Sequence, residues 1–379
     1  MIATLGRLLL MGLAATLVAP AQAQGPIQIT PPAQTAPRPA QPAKPKPAKP
    51  KVVRPKAPPA ARPPQQAPQP AEAPPEGQPA PATAAPKAAP AAPPAAMVLA
   101  SAFAAFQRGY YATAFAEATR LAGDNQDPKA MALLGELYAN GNGVPQDVNK
   151  AVEWFRLAAD RGDTAATFAL AILNLGGRGL PRDLGAAAKY LEAATKLGHP
   201  AAAYDLALLY IDGKQFPQDF ARAAELFRRA ADAGIPEAQY ALATLYKEGR
   251  GVAADIVEST RLLGLASRAG NLDAQVEYAI ALFNGTGVAK DERGAATVMR
   301  KAATRGNAIA QNRLARMLAA GRGVSADAVA ATRWHLIAKA GGISDTWLDE
   351  FVAKLAPGDR AAGEKAAQPW LAALAQSRS

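Results

Sequence analysis

The sequence predicts an all-α fold in which six helical hairpins of equal length stack into a solenoid. Three observations carry this prediction. Residues 128–343 repeat with a period of 36 and no insertion, glycine returns at fixed places in every unit, and apolar residues at helical spacing fill the stretches between the glycines. One such hairpin cannot bury its own apolar face, so a repeat of this length indicates stacked units that share a continuous core.

Residues 1–23 have the pattern of a secretory signal peptide. Arg7 supplies the positive start, an apolar run extends from Leu8 to Val18, and Ala21-Gln22-Ala23 has the small-x-small form of a cleavage site. The run is too short for a membrane span, which needs about 20 apolar residues. We therefore expect cleavage after Ala23 and a periplasmic or secreted mature chain.

Residues 24–96 form a tract rich in Pro, Ala and Lys. The tract holds 24 of the 33 prolines, and it has nine basic residues against two acidic ones. Such a composition cannot bury a core, so the sequence predicts a disordered linker. Most of the chain's formal charge of +11 belongs to this tract. The remaining sequence is nearly balanced in charge and does not indicate nucleic-acid binding.

Each repeat unit reads as a helix, a glycine loop and a second helix. In residues 128–163, Pro128 suits a first helical turn, and Leu133, Leu134 and Leu137 follow helical spacing. A glycine ends the first helix in every unit, because glycine tolerates the positive φ of a helix end. An aspartate precedes every second helix and can cap it. The capping aspartates are Asp147, Asp183, Asp219, Asp255, Asp291 and Asp327.

Two atypical segments flank the repeats. Residues 97–127 read as helix, glycine and helix, and residues 344–379 contain two helical stretches separated by Pro357-Gly358. The terminal units of a solenoid must hide one face from water, so their sequences differ from those of the units between them. The sequence therefore predicts a helical cap at each end.

Two stretches show the family character of the repeat most clearly. They are LGELYANGNGVPQDVNKAVEWFRLAADRG in the first unit and LATLYKEGRGVAADIVESTRLLGLASRAG in the fourth. These stretches resemble the Sel-1-like repeat, a relative of the tetratricopeptide repeat, and the resemblance covers residues 128–343. It implies a right-handed α/α solenoid that serves as a scaffold for contacts between proteins.

Residue types that support catalysis or metal binding are scarce. The chain has no Cys, which excludes a thiol nucleophile, a disulfide framework and a Cys-ligated zinc site. Its two histidines, His199 and His335, fall at a predicted turn and on a predicted second helix, so no Ser–His–Asp arrangement is indicated. The periodic aspartates are interpreted as helix caps and not as a calcium ladder. We expect a protein that is not an enzyme and needs no cofactor or metal.

The resemblance to tetratricopeptide repeats implies that the first helix of each unit lines the concave side. Four register positions per unit fall on that side, and in the middle units they carry an apolar band. The band comprises Phe168, Ile172, Leu175, Tyr204, Leu208, Ile211, Tyr240, Ile280 and Phe283. A band of this kind suits the binding of a peptide or helix. The alternative interpretation is that these residues pack against their own neighbours, or that the chain's own linker or C-terminal segment covers them.

Together these features predict a periplasmic adaptor that binds another envelope protein, or an extended segment of one, through the apolar band. Neither nucleic acid nor a small-molecule substrate is expected as a ligand. The alternative hypothesis is a cell-wall or polysaccharide binding protein, because the basic tract at 24–96 would attract an anionic polymer.

Overall fold

The computed structural model describes residues 95–124, 126–214 and 216–376, and these residues form sixteen α-helices and no strand. The predicted signal peptide and the linker up to residue 94 lie outside the described residues. None of the described helices is both long enough and apolar enough to cross a membrane.

The helices follow one another as pairs along the chain. They are α1 (Ala95–Gln107), α2 (Tyr111–Asp124), α3 (Pro128–Asn140), α4 (Val148–Ala159), α5 (Thr164–Gly176), α6 (Leu184–Lys196), α7 (Pro200–Asp212), α8 (Phe220–Asp232), α9 (Pro236–Glu248), α10 (Ile256–Arg268), α11 (Leu272–Asn284), α12 (Glu292–Thr304), α13 (Ala308–Ala320), α14 (Ala328–Ala340), α15 (Thr346–Ala353) and α16 (Pro357–Gln376). Units 1 to 6 are the pairs from α3–α4 to α13–α14, and the odd-numbered member of each pair is called the first helix. This is the all-α solenoid that the sequence predicts.

The periodic aspartates cap the second helices, as predicted. In each unit the carboxylate accepts a hydrogen bond from a backbone N–H of the first turn, for example at 2.8 Å from Arg222 to Asp219 and at 2.8 Å from Gly294 to Asp291. A cap of this kind stabilises a helix by ~1 kcal/mol. Among the described residues, no three or more His, Asp or Glu side chains come together in a group that could hold a metal ion.

The loop between the two helices requires glycine for two different reasons. Gly249, which ends α9, has φ of 67°, a left-handed conformation that favours glycine. Gly251, two residues later, also lies against the backbone of Phe220 at the start of the preceding second helix, where a Cβ atom would collide. The loop of one unit therefore packs on the second helix of the unit before it.

Small residues set the spacing of the helices. Alanine occupies the repeat position of Ala130 and that of Ala158 in all six units, and we call such a set of equivalent positions a column. Every alanine of these two columns is fully buried, with 0% of its surface exposed. Each helix packs against its hairpin partner and against the next hairpin along the chain. An alanine at such a contact lets two helices approach closely, which explains why the same residue returns in every unit.

The flanking segments form helices that pack on the terminal units. Helices α1 and α2 pack together and contact α3, while α15 and α16 pack on α13 and α14. The N-terminal pair begins at Ala95, two residues earlier than the sequence pattern indicates. At the other end, the indole of Trp370 on α16 packs edge-on against Trp334 on α14, with 5.5 Å between the ring centroids.

Candidate functional site on the first helices

The nine predicted band residues all lie on first helices. Phe168, Ile172 and Leu175 are on α5, the next three are on α7, and Tyr240 is on α9. Ile280 and Phe283 complete the set on α11. The structure does not leave all nine equally accessible, and their burial separates them into two groups.

Four of the nine are core residues. Phe168, Ile172, Leu208 and Phe283 have exposed fractions of 1%, 4%, 8% and 8%. The ring of Phe168 stacks on His199, with 4.3 Å between centroids, and the guanidinium of Arg322 lies 4.6 Å from the centroid of Phe283. For these four the alternative interpretation, packing against the protein's own neighbours, is the one that the structure supports. A charged residue in place of Phe168 would disrupt the core rather than probe a surface.

The other five band residues are half-buried and form the accessible part of the band. They are Leu175, Tyr204, Ile211, Tyr240 and Ile280. Four of them pack on the core cluster that runs from unit 2 to unit 5. Their neighbours therefore hold these side chains in place while part of each remains open to solvent. We call this set the first-helix surface.

Polar contacts connect the first helices of units 4 and 5 within this surface. The hydroxyl of Tyr240 donates a hydrogen bond of 2.8 Å to one carboxylate oxygen of Glu277, and the ammonium of Lys247 lies 3.1 Å from the other oxygen. Glu277 was not among the predicted site residues, because the four register positions taken from tetratricopeptide repeats do not include its position. The register does carry a signal, however, since Asp205 occupies the same position in unit 3.

The two tyrosines of the surface lie in a negative environment. Burial raises the pKa of the Tyr204 phenol, and the nearby carboxylates of Asp205 and Glu237 raise it further. The pKa of Tyr240 is raised by burial and by Glu277, with smaller effects from other acidic residues. Both phenols therefore stay protonated at neutral pH and can act as hydrogen-bond donors.

The C-terminal cap covers the end of the row of first helices. Asp345, which precedes α15, accepts hydrogen bonds of 2.7 Å from Asn312 and 2.6 Å from Arg316 of α13. Burial alone would raise the pKa of Asp345, but these hydrogen bonds lower it below its ordinary value. The cap thus contacts both helices of unit 6, since α15 reaches α13 and α16 packs along α14.

The two histidines have structural roles. His199 precedes α7, where its Nδ1 accepts a hydrogen bond of 3.2 Å from the N–H of Ala202, and burial lowers its pKa. His335 is buried on α14, with Nε2 2.7 Å from a carboxylate oxygen of Asp349. His199 therefore caps a helix at a turn, and His335 is a packed helical residue, as the sequence indicates.

The repeat itself decides the family. The family model described as Sel1 repeat matches residues 128–163, 164–199, 200–235, 236–271, 272–307 and 308–343, without a gap between units. This chain belongs to the Sel1 repeat family. Sel1 repeats generally mediate contacts between proteins, and solenoids of the family are in general non-catalytic scaffolds for protein binding.

Solved structures of other Sel1 repeat proteins resemble this one. A Sel1 repeat protein from Oxalobacter formigenes is 33% identical in sequence, with a TM-score of 0.55 over 69% of this chain and 77% of that one. A protective antigen of uropathogenic Escherichia coli, which displays an SLR fold, is 22% identical, with a TM-score of 0.43 over 73% of this chain and 84% of that one. No curated protein matches this sequence.

Proposed function

We propose that this Sel1 repeat protein is a periplasmic adaptor that binds another envelope protein through its first-helix surface. The observation that carries the proposal is the half-buried band formed by Leu175, Tyr204, Ile211, Tyr240 and Ile280 on four successive first helices. The pattern of residues 1–23 supports the periplasmic location, because it combines a positive start, a short apolar run and a small-x-small site.

The band has the properties of a preorganised binding surface. Side chains that their neighbours already hold in place lose little further entropy when a partner docks on them. Tyrosines contribute a large apolar area together with a hydroxyl group, and they often dominate the energy of protein contacts. A row of such groups along successive helices suits an extended segment or a helix of a partner.

The test compares two sets of substitutions of equal chemistry. One variant carries Leu175→Gln, Ile211→Gln and Ile280→Gln on the first-helix surface. The control carries Leu157→Gln and Val257→Gln, which replace apolar residues that are 41% and 62% exposed on second helices. Both should keep their helicity, measured by circular dichroism, because none of the five side chains is fully buried.

Crosslinking in cells, followed by quantitative mass spectrometry, then measures partner capture by each variant. We expect the first-helix variant to lose a partner that the wild type and the second-helix control retain. Identical partners for all three proteins would contradict the proposal and assign binding to another part of the chain.

A second candidate function is binding to an anionic cell-wall polymer through residues 24–96. The excess of basic residues in that tract supports it, since cationic segments bind anionic polymers. The test is co-sedimentation of the full chain with purified peptidoglycan, compared with a variant in which Gln replaces the Lys and Arg residues of the tract. Equal sedimentation of the two proteins would exclude this function.

A further inference from the structure

The first helices of units 3 to 5 differ in charge from the second helices of the same units. Helices α7, α9 and α11 carry six acidic residues and one basic residue, whereas α8, α10 and α12 carry eight basic and four acidic residues. The first and second helices of these units have the same length, so the difference in charge comes from their sequences and not from the amount of helix. Asp212, Glu248 and Glu277 form ion pairs with Lys214, Arg250 and Lys247, so these three charges are balanced within the chain. Asp205 is one of the acidic residues that remain, and their charge favours a cationic partner.

Asp205 is the most unusual of these acidic residues. Its exposed fraction is only 5%, and it has neither a hydrogen bond nor an ion pair with any of the residues that the structure describes. It lies between Tyr204 and Leu208, within the band. Burial raises its pKa well above the ordinary value. Its carboxylate oxygens are not fully enclosed, so a cation from outside the chain can reach them. A largely desolvated carboxylate without a cation destabilises a protein.

The repeat shows what Asp205 lacks. Asp205 holds in unit 3 the register position that Glu277 holds in unit 5. Glu277 is paired across to the preceding first helix, with the hydroxyl of Tyr240 and the ammonium of Lys247. Two units earlier, the positions of these two donors are filled by Phe168 and Leu175. Neither side chain can donate a hydrogen bond or carry a charge. Unit 3 therefore has the carboxylate of this interaction, but unit 2 has neither the hydroxyl nor the ammonium group that would pair with it.

We infer that a partner supplies the missing cation, and that the occupant of the first-helix surface is a peptide segment with a Lys or Arg side chain among apolar residues. The apolar residues contact Leu175, Ile211 and Tyr240, and the cationic group approaches Asp205 much as Lys247 approaches Glu277. The negative charge of α7, α9 and α11 favours the same ligand over an acidic one. This inference rests on the proposed function, because it specifies what kind of segment the same surface binds.

The first experiment selects ligands without assuming a partner. The probe is a fully degenerate library of twelve-residue peptides, selected on the full chain and read by sequencing. We expect enrichment of Lys or Arg flanked by Leu, Phe or Tyr on the wild type. Asp205→Asn should abolish the cation enrichment, and Glu153→Gln, an exposed acidic residue on a second helix, should leave it unchanged. Leu175→Lys should also abolish it, because the new ammonium would pair with Asp205 within the chain.

The second experiment measures the coupling directly. A selected peptide and its counterpart with norleucine in place of the cationic residue are titrated against both proteins by fluorescence anisotropy. We expect norleucine to weaken binding to the wild type about tenfold, the effect of losing one charged contact. With Asp205→Asn the two peptides should bind equally, which is the signature of a direct interaction in a double-mutant cycle.

The outcomes separate this inference from the function on which it rests. Selection of apolar peptides without a cation preference, or a preference that survives Asp205→Asn, would overturn the inference and leave the binding surface intact. If no peptide is selected above the level of the variant with three Gln substitutions, both the inference and the proposed surface fail. Self-association of the wild type that Asp205→Asn abolishes, measured by sedimentation velocity, would assign the surface to a second copy and would also overturn the inference.

Discussion

The hydroxyl of Tyr240 donates a hydrogen bond of 2.8 Å to Glu277 and so joins the first helices of two adjacent units. Both side chains are only partly exposed, and the acceptor is a carboxylate, which makes the hydrogen bond stronger than one between neutral groups. In a solenoid each unit contacts only its neighbours, so a bond between units contributes directly to the interface that propagates the fold.

Tyr240→Phe should therefore lower the free energy of unfolding by ~1 kcal/mol, because it removes the hydroxyl and keeps the ring. Denaturation in urea followed by circular dichroism measures the effect. Tyr190→Phe is the control, since Tyr190 is also half-buried and its hydroxyl has no hydrogen bond to the described residues. Equal effects of the two substitutions would show that the contact between Tyr240 and Glu277 does not stabilise the interface.

The loop glycines allow a test that separates steric collision from backbone strain. Gly287 and Gly306 both have positive φ, 69° and 89°. A Cβ at Gly287 would collide with the carbonyl of Ile256 and the hydroxyl of Thr260, whereas a Cβ at Gly306 would meet open space.

Gly306→Ala should cost about 1 kcal/mol of stability from positive φ alone, and Gly287→Ala should cost roughly 1–3 kcal/mol more because the loop must move away from α10. Thermal and urea denaturation of the two variants, compared with the wild type, give these values. Equal losses would mean that the loop of unit 5 does not depend on close contact with the second helix of unit 4.

The fold could be predicted from sequence because each structural requirement returns every 36 residues. The left-handed end of a first helix requires glycine, as at Gly249, and the start of a second helix requires a hydrogen-bond acceptor, as at Asp219. Each of these requirements is local, so it is visible at one repeat position. The accessible site could be predicted only in part. Whether Phe168 is exposed depends on its stacking with His199, which lies 31 residues away at the end of the same unit, just before α7. Inspection of one repeat position at a time does not show such a contact.

The unpaired state of Asp205 was hidden for the same reason. Its register position is acidic again at Glu277, but the difference between the two lies in the preceding units, where Tyr240 and Lys247 correspond to Phe168 and Leu175. Whether the carboxylate is paired therefore depends on the residues at two other repeat positions in the preceding unit. Comparison of columns across the interface between units would have found it.

The ion pair between Glu292 and Arg322 predicts a loss of stability in acid. Hydrogen bonds from Arg322 and Lys290 lower the pKa of Glu292 to about 2, below its value in an unfolded chain. The carboxylate therefore stabilises the folded state fully above about pH 4.5, and its contribution decreases as the pH falls towards 2. Arg322 also lies over Phe283, so the pair holds the loop of unit 6 on the first helix of unit 5.

Glu292→Gln should lower the free energy of unfolding at pH 7 by ~1 kcal/mol or less, as expected for a partly exposed pair. The difference from the wild type should shrink below pH 4.5 and in high salt. Urea denaturation between pH 7 and pH 3 measures it, with Glu153→Gln as the control. A difference that stays constant across this range would show that the charge of Glu292 is not its source.

Asp205 predicts the opposite dependence on pH. Burial raises its pKa in the folded protein, so between the ordinary Asp value and the raised value the folded state binds more protons than the unfolded chain. Stability at this site is therefore complete at low pH and decreases as the pH rises through that interval. Asp205→Asn removes the titrating group and keeps the size of the side chain.

We therefore expect Asp205→Asn to raise the free energy of unfolding at pH 7, because it removes the carboxyl group whose ionisation burial opposes in the folded protein. The gain should disappear near pH 3.5, where the carboxyl group is protonated in the unfolded chain as well. Urea denaturation of both proteins at pH 7 and pH 3.5 tests this expectation. Lower stability of Asp205→Asn at pH 7 would show that the carboxylate is paired in solution, because a paired buried charge is costly to remove.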